Sequence, residues 1–222
     1  MKIGIFGGSF NPPHSMHQMI ALDLIQNHLV DKVIYVPTSI QYNKKGLASN
    51  EDRYEMVKRM IDKNPNLEVS DYEFKKLTFT YQTLDYFQKK YPNDEIYFIC
   101  GTDNFIELDT WNNYKYLLEQ FRWIIIKRNE DNIEELLKKY QKYQHHIHIS
   151  NLPNNPISST QIRELLKTSP NDELLRINLN PSVLEYIKKQ KLYRYSSKEE
   201  ISQENTTILQ LTNKLSKKIK QK

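Results

Sequence analysis

The chain has 222 residues, of which 38% are hydrophobic and 27% are charged. This length and balance are typical of a globular protein that buries its core without disulfides or a structural metal. No apolar run approaches the roughly 20 residues of a membrane helix, and the N-terminus lacks the pattern of a signal peptide. The single cysteine, Cys100, excludes an intrachain disulfide, and we expect the protein in the cytoplasm.

The net charge of +5 is unevenly distributed along the chain. Residues 195–222 hold six Lys and three acidic residues, so this segment carries +3 and residues 1–194 carry only +2. A nucleic-acid-binding domain would have a concentrated basic face, so we expect no nucleic-acid partner. A mild positive bias favours the capture of a small anionic substrate.

Strand and helix patterns alternate along the chain. Apolar runs predict strands at residues 2–6, 32–37, 67–72, 95–101, 122–127 and 145–150. Helical periodicity predicts helices at residues 17–30, 50–64, 80–91, 133–143, 160–167 and 181–191. This order predicts an α/β fold with a doubly wound, Rossmann-like, mainly parallel sheet and helices on both faces.

The composition changes after residue 194. The last segment is rich in Ser, Glu, Asn, Gln and Lys, yet Ile208, Leu211, Leu215 and Ile219 recur at helical spacing. We therefore predict one domain at residues 1–194 and a basic tail at residues 195–222 that is helical or disordered. The apolar stripe of the tail suits either a contact between subunits of a homo-oligomer or docking within the chain.

The segment at residues 7–17 (GGSFNPPHSMH) lies between the first strand and the first helix. Gly7 and Gly8 let the backbone approach a ligand closely, and a helix N-terminus favours phosphate. His14 and His17 are three residues apart and share a face of a helical turn, from which two imidazoles can stabilise phosphate oxygens in a transition state. A structural turn is the alternative, but the paired His favour a phosphate site.

A second segment, residues 156–163 (PISSTQIR), begins a helix. Ser and Thr there are good helix caps, and by itself the segment predicts only a cap. Arg163 follows one turn later, and hydroxyls, helix N–H groups and a guanidinium together form a polyphosphate clamp. In combination with the first segment, we favour the clamp.

Three further patterns leave two interpretations open. Asp103 follows a strong strand and can reach a ribose if that strand lies beside the first, although Asp-Asn is also an ordinary turn. Lys44 belongs to a loop that is either solvated or binds an anion. Trp111 is either a core residue or a stacking platform.

The His-rich residues 145–148 could suggest a metal site, but we interpret them as an edge strand with one wet face.

These segments resemble the nicotinate/nicotinamide mononucleotide adenylyltransferases, which are nucleotidylyltransferases of the HxxH type. Residues 7–17 are similar to the family pattern G-G-T/S-F-D/N-P…H-x-x-H, and residues 157–163 (ISSTQIR) to I-S-S-T-x-I-R. Residues 100–104 (CGTDN) resemble its G-A-D motif, and residues 42–47 (YNKKGL) and 180–193 also fit. The resemblance spans residues 1–194, and the first two motifs together are highly specific.

The resemblance implies roles for residues in these motifs. His14, His17 and Arg163 would be catalytic and contact the ATP phosphates. The implied ATP-binding residues are Gly7, Gly8, Ser9, Phe10, Gly101, Asp103, Ser158, Ser159 and Thr160. The implied mononucleotide-binding residues are Asn11, Lys44, Thr80 and Trp111, with Lys44 facing the phosphate and Trp111 near the pyridine ring. No carboxylate cage for a metal is evident, so Mg²⁺ would arrive with ATP.

The implied activity is transfer of the adenylyl group of ATP to nicotinate mononucleotide, and possible use of nicotinamide mononucleotide stays open. Met16 replaces a Gly that many bacterial members have, and Thr102 replaces a common Ala, which leaves the choice of pyridine substrate undecided. Another small phosphorylated acceptor, such as phosphopantetheine, is an alternative. A nucleotide-sensing or RNA-associated protein that uses the basic tail is another, although the tail has no interleaved aromatics.

Overall fold

The computed structural model describes residues 1–39, 46–74, 78–127, 133–150 and 157–194. The predicted tail at residues 195–222 lies outside the described residues, as does Lys44 with most of its predicted loop. The division of the chain at residue 194 therefore stays a prediction.

Six strands of the described chain form one parallel sheet in the order β3-β2-β1-β4-β5-β6. They are β1 (Lys2–Gly8), β2 (Lys32–Pro37), β3 (Leu67–Val69), β4 (Glu95–Gly101), β5 (Arg122–Ile126) and β6 (Ile147–Ser150). The chain moves outward from β1 to β3, then returns to pair β4 with the other side of β1. This reversal places the topological switch point between β1 and β4, and it confirms the predicted doubly wound sheet.

Helices connect the strands and cover both faces of the sheet. Within the described ranges they are α1 (Ser15–Gln26), α2 (Asn50–Ile61), α3 (Thr80–Lys90), α4 (Thr102–Ile106), α5 (Tyr114–Gln120), α6 (Ile133–Lys139), α7 (Ser159–Thr168), α8 (Glu173–Asn178) and α9 (Pro181–Lys189). Short 3-10 helices occupy Leu108–Thr110, Gln141–His146 and Leu192–Arg194.

Alternate strand residues enter two separate hydrophobic layers, as the two-residue period of a strand requires. Phe6, Tyr35 and Ile99 pack with buried residues of α1, α2, α7, α8 and α9, on what we name the α1 face. Ile5 and Phe98 pack with buried residues of α3, α4 and α5, on the α3 face. Both faces of the central strands are therefore buried, which explains why their sequences read as nearly continuous apolar runs.

Several predicted boundaries differ from the structure. β1 continues through Gly7 and Gly8, which pair with β2, so the glycines end the strand and the turn begins after them. α1 begins two residues earlier than predicted, and Leu22 on this helix is exposed. β3 ends at Val69 because the chain leaves the sheet there, before the predicted end at residue 72.

The prediction missed α4, α5 and α8, which have five, seven and six residues. Fewer than two turns cannot display a helical period, so no pattern marks them.

The predicted helix at residues 133–143 ends at Lys139, and a 3-10 helix carries His145 and His146. The edge-strand interpretation was therefore wrong for these two residues and holds for His148, which is exposed on β6. No helix of the described residues is long and apolar enough to span a membrane.

The substitution Leu24→Ala tests the buried face of α1. Leu24 has no exposed surface, so the substitution opens a cavity in the α1-face layer and should lower the free energy of unfolding by about 2–5 kcal/mol. Leu22→Ala on the same helix is the matched control, since Leu22 is 38% exposed, and it should cost less than about 0.5 kcal/mol. Urea denaturation followed by circular dichroism measures both, and equal losses would contradict this orientation of α1.

Candidate active site

A cleft of about 1160 Å³ opens at the carboxyl ends of the strands, around the switch point between β1 and β4. Sites for one small molecule typically measure about 300–1,000 Å³, so this cleft is slightly larger than that range. Its walls come from both faces of the sheet. Phe6, His17 and Ile126 line it with the α1-face layer, whereas Val36 and Phe98 line it with the α3-face layer.

Every predicted site residue that the structure describes lines this cleft. They are Gly7, Gly8, Ser9, Phe10, Asn11, His14, His17, Thr80, Gly101, Asp103, Trp111, Ser158, Ser159, Thr160 and Arg163. Lys44 lies outside the described residues. Residues separated by up to 156 positions thus meet at one edge of the sheet, while the role of each toward a ligand stays a prediction.

His14 and His17 are held together at the start of α1. His14 is the N-cap residue, and its backbone N–H donates to His17 Nδ1 at 3.2 Å. The ring centroids are 3.9 Å apart. A neutral imidazole that accepts at Nδ1 carries its proton on Nε2, so His17 is arranged as a hydrogen-bond donor at Nε2. The pair therefore consists of the N-cap and the third residue of α1, and its two rings lie side by side in the cleft.

Aromatic packing fixes the His17 ring from below. The Phe10 ring lies edge-on to it, with 5.0 Å between centroids, and Phe6 lies 6.0 Å away. Tyr35 Oη on β2 donates to the His17 carbonyl oxygen at 2.9 Å. Phe10 has a φ of +45°, which is uncommon for a residue with a side chain, and this conformation turns its ring into the core. The imidazole thus has little freedom to rotate.

The start of α7 is joined directly to the loop after β1. Ser158 is its N-cap and accepts from the Gln161 N–H at 3.2 Å. Ser159 Oγ donates to the Pro12 carbonyl oxygen at 2.9 Å, and Arg163 Nη1 donates to the Asn11 carbonyl oxygen at 2.8 Å. These two contacts set the second motif against the first, so a helix N-terminus and a guanidinium face the same cleft as the His pair.

The Asn11 side chain connects three segments. Its Nδ2 donates to the Gly46 carbonyl oxygen at 2.9 Å, and its Oδ1 accepts from the Ala48 N–H at 3.0 Å. The same Oδ1 accepts from Tyr193 Oη at 2.8 Å, which brings in the end of the described chain. Asn11 is only 3% exposed. Its contacts are those of a residue that positions the loop, whereas mononucleotide binding by Asn11 stays a prediction.

Arg53 lies beneath the site with no exposed surface. Its guanidinium donates to the carbonyl oxygens of Ser9, at 2.8 Å, of Ala48, at 3.1 Å, and of Thr38, and to Asn50 Oδ1 at 2.7 Å. Burial lowers the pKa of Arg53, but a guanidinium remains charged in proteins. One buried cation therefore ties the loops after β1 and β2 to the segment that leads into α2.

The part of the cleft on the α3 face is largely apolar and aromatic. Ile5, Val36 and Phe98 form its floor, and Trp111 packs edge-on against Phe98 with 6.0 Å between centroids. The residues that line its rim from the start of α3 are Phe79 and Thr80. A flat ring can enter such a pocket, as the stacking interpretation of Trp111 requires.

Glu73 and Thr83 add a polar group to this apolar part. Glu73, between β3 and α3, is 6% exposed, and its Oε1 accepts from Thr83 Oγ1 at 2.8 Å. Burial raises the pKa of Glu73 to about 7, against the opposing effects of the Thr83 hydrogen bond and the Arg53 charge. Sequence patterns carried no signal for either Glu73 or Arg53.

Two other contributors were also missed. Lys127 lines the cleft directly after β5, and the rule that ligands bind at strand carboxyl ends could have identified it. Tyr193 touches Asn11 from 182 residues away, which no local pattern can reveal. Within the described residues, no group of three or more His, Cys, Asp and Glu side chains could hold a metal ion.

Together, the fold and the cleft at the switch point are those of a nucleotide-binding α/β protein. Comparisons with known proteins place it more narrowly. The sequence profile of the cytidylyltransferase-like family matches residues 5–165. Two proteins that carry the name nicotinate-nucleotide adenylyltransferase are similar over most of this chain. The one from Caldicellulosiruptor bescii is 37% identical, covering 87% of this chain and 100% of the relative. The one from Clostridium acetobutylicum is 36% identical, covering 86% and 98%.

Solved structures agree with this placement. The nicotinic acid mononucleotide adenylyltransferase of Plasmodium falciparum complexed with NaAD has a TM-score of 0.75 and 25% identity, covering 88% of this chain and 98% of that chain. The chain belongs to the cytidylyltransferase-like family and, within it, to the nicotinate-nucleotide adenylyltransferases.

The substitution Arg53→Met tests whether the buried Arg53 guanidinium holds the surrounding loops together. It leaves the carbonyl oxygens of three segments without their donor, so we expect a loss of about 3 kcal/mol in the free energy of unfolding and weaker binding of ligands in the cleft. Arg59→Met on the same helix is the control, because Arg59 is partly exposed and paired with Glu55, and it should cost less than about 1 kcal/mol. Thermal and urea unfolding measure both variants. An equally small loss in the free energy of unfolding for Arg53→Met would contradict this role of Arg53.

Proposed function

We propose that this protein transfers the adenylyl group of ATP to nicotinate mononucleotide, releasing pyrophosphate and forming the deamido dinucleotide of NAD biosynthesis. The observation that carries the proposal is the meeting of two phosphate-binding motifs beside an aromatic pocket. The His pair and the start of α7 face one cleft, and Trp111 lies in the part of that cleft on the α3 face. The related Plasmodium falciparum structure complexed with NaAD supports the choice of product.

Each substrate is assigned to its own part of the cleft. The adenosine of ATP lies beside the predicted ribose ligand Asp103 and the start of α4, and its phosphates lie between the β1 loop and α7. The pyridine ring enters the pocket beside Trp111, with its 5′-phosphate directed back toward the end of β1. The two reacting groups thus approach each other above Gly7 and Gly8, where the absence of side chains gives them access.

In the reaction, a phosphate oxygen of the mononucleotide forms a bond to the α-phosphorus of ATP, and the bond from that phosphorus to the bridging oxygen of pyrophosphate breaks. The attacking phosphate monoester has a second pKa of about 6, so it is already an anion at neutral pH and requires no strong general base. What the protein supplies is alignment and stabilisation of charge on the transferring group.

His17 provides a donor whose orientation is fixed by the His14 backbone and the Phe10 ring. Arg163 provides a guanidinium that is braced by Asn11 and Thr160. The start of α7 adds backbone N–H groups and the hydroxyls of Ser158, Ser159 and Thr160. Because these groups are ordered before the substrates arrive, little reorganisation is required at the moment of transfer.

Magnesium enters as part of the MgATP substrate. Mg²⁺ prefers oxygen ligands, keeps several waters and is commonly held by substrate phosphates with one or two carboxylates. The described part of the cleft fits this mode, since it offers scattered oxygen donors such as Asp103 and the α7 hydroxyls rather than a carboxylate cage.

A direct assay tests the function. The purified protein is incubated with ATP and Mg²⁺ and with nicotinate mononucleotide, nicotinamide mononucleotide or phosphopantetheine, and dinucleotide and pyrophosphate are quantified. We expect one pyrophosphate per dinucleotide and the highest kcat/KM with nicotinate mononucleotide. Turnover with phosphopantetheine but with neither mononucleotide would contradict the proposal.

The substitutions His14→Ala and His17→Ala test the transition-state role. Each should lower kcat by about 100–1,000-fold, since loss of one such donor typically costs about 2.7–4 kcal/mol. Binding of ATP should change much less. His28→Ala, which changes an exposed His in the turn after α1, is the control and should leave kcat unchanged. Steady-state kinetics measure all three, and near-normal turnover in both active-site variants would remove the role assigned to the pair.

A further inference from the structure

Glu73 is a buried acid that lines the cleft together with apolar and aromatic residues. Its side chain lies beneath the rim of the pocket, 6% exposed, and one carboxyl oxygen is engaged by Thr83. Among the described residues, no group donates a hydrogen bond to the other oxygen, Oε2. A buried polar atom without a partner is costly, and in a binding pocket it indicates a ligand group that completes it.

Arg53, whose charge acts on Glu73, does not donate a hydrogen bond to its carboxyl group. Arg53 on α2 lies close enough to influence the carboxyl group electrostatically, but its N–H groups are directed to the oxygens of Ser9, Thr38, Ala48 and Asn50. The basic residues that line the cleft belong to the β1 loop, α1 and α7, except Lys127, which directly follows β5. The α3-face pocket thus combines an aromatic wall with a buried acid, which is the chemistry that recognises a flat organic cation.

We propose that the Glu73 carboxylate recognises the positive charge of the pyridinium ring in the mononucleotide substrate. A pyridine whose nitrogen is bonded to ribose is a permanent cation, and this charge is common to the nicotinate and nicotinamide forms. The inference rests on the proposed function and adds a determinant of substrate choice within it. Glu73 selects ring charge, and it leaves the distinction between a ring carboxylate and a ring amide to other groups.

The electrostatics of the pocket favour this role. Burial raises the pKa of Glu73 to about 7, so the free protein holds the group poised between its neutral and ionised forms. A cation placed against Oε2 favours the ionised form, and the attraction is strengthened because the carboxyl group is buried. The Trp111 ring in the same pocket adds a second, uncharged surface that attracts cations.

Glu73→Gln separates charge from shape. The amide keeps an oxygen that can accept from Thr83 Oγ1 and removes the negative charge. The probes are nicotinate mononucleotide and its C-nucleotide analogue 3-(ribofuranosyl)benzoate 5′-phosphate, which has the same carboxylate and phosphate on a neutral ring. The measurements are KM for the nucleotide, Ki for the analogue, KM for ATP and kcat, together with the melting temperature.

We expect Glu73→Gln to raise KM for nicotinate mononucleotide by about tenfold, with Ki for the neutral analogue, KM for ATP and kcat changed by less than about twofold. Glu51→Gln makes the same chemical change at an exposed position on α2 and should alter none of these constants. Glu73→Asp keeps a charge at this position and should retain more of the preference for the cationic ring than the Gln variant does.

Other outcomes overturn the inference. An unchanged KM for nicotinate mononucleotide would show that Glu73 does not read the ring charge. A parallel rise in the Ki of the neutral analogue or in the KM of ATP would assign Glu73 a purely structural role. If Glu73→Gln does not fold, the unaltered protein decides: tighter binding of nicotinate mononucleotide than of the neutral analogue supports recognition, and equal binding overturns it. Absence of product from the unaltered protein would be a failure of the proposed function itself.

Discussion

One buried guanidinium holds the carboxyl edge of the sheet in shape. Arg53 donates to carbonyl oxygens in the loop after β1, in the loop after β2 and in the segment before α2, and it has no exposed surface. Loops at the ends of strands have few backbone partners of their own, so a fixed multivalent donor beneath them substitutes for a sheet ladder. The geometry of the β1 loop, and with it the positions of Asn11 and the His pair, depends on this cation.

A second set of contacts connects this shaped edge to distant segments. The Asn11 carbonyl oxygen accepts a hydrogen bond from Arg163, and the Asn11 side chain accepts one from Tyr193 Oη. Ser159 Oγ donates to the carbonyl oxygen of the adjacent Pro12. The start of α7 is therefore hydrogen-bonded directly to the β1 loop. Such bracing suits a reaction in which the protein aligns two anions and stabilises charge without an acid or base of its own.

The doubly wound order gives the site its two-sided character. Because successive side chains of a strand face opposite layers, the end of β1 borders both the α1 face and the α3 face. A cleft above that end can hold phosphate-binding groups on one side and an aromatic pocket on the other. Glu73 adds a buried acid to this cleft, whereas the His pair and Arg163 are basic, so the proposed sites of the two substrates differ in charge.

The sequence predicted the features that local patterns encode. Apolar runs located the strands because the central ones are buried on both faces. The two motifs located many residues of the cleft because the residues within each motif are close in sequence. The helices α4, α5 and α8 were missed because they are too short to show a period. Arg53, Glu73 and Tyr193 were missed for another reason: each acts through contacts with residues far along the chain or in another element, which only tertiary structure creates.

The division of the cleft between the two substrates is the central claim, and a crystal structure of the protein with the deamido dinucleotide product tests it most directly. We predict that the pyridine ring lies beside Trp111 and Glu73 on the α3 face, that the phosphates lie between His17 and Arg163, and that the adenosine lies beside Asp103. A product bound in the reverse orientation, or with its phosphates away from the His pair and α7, would contradict the account.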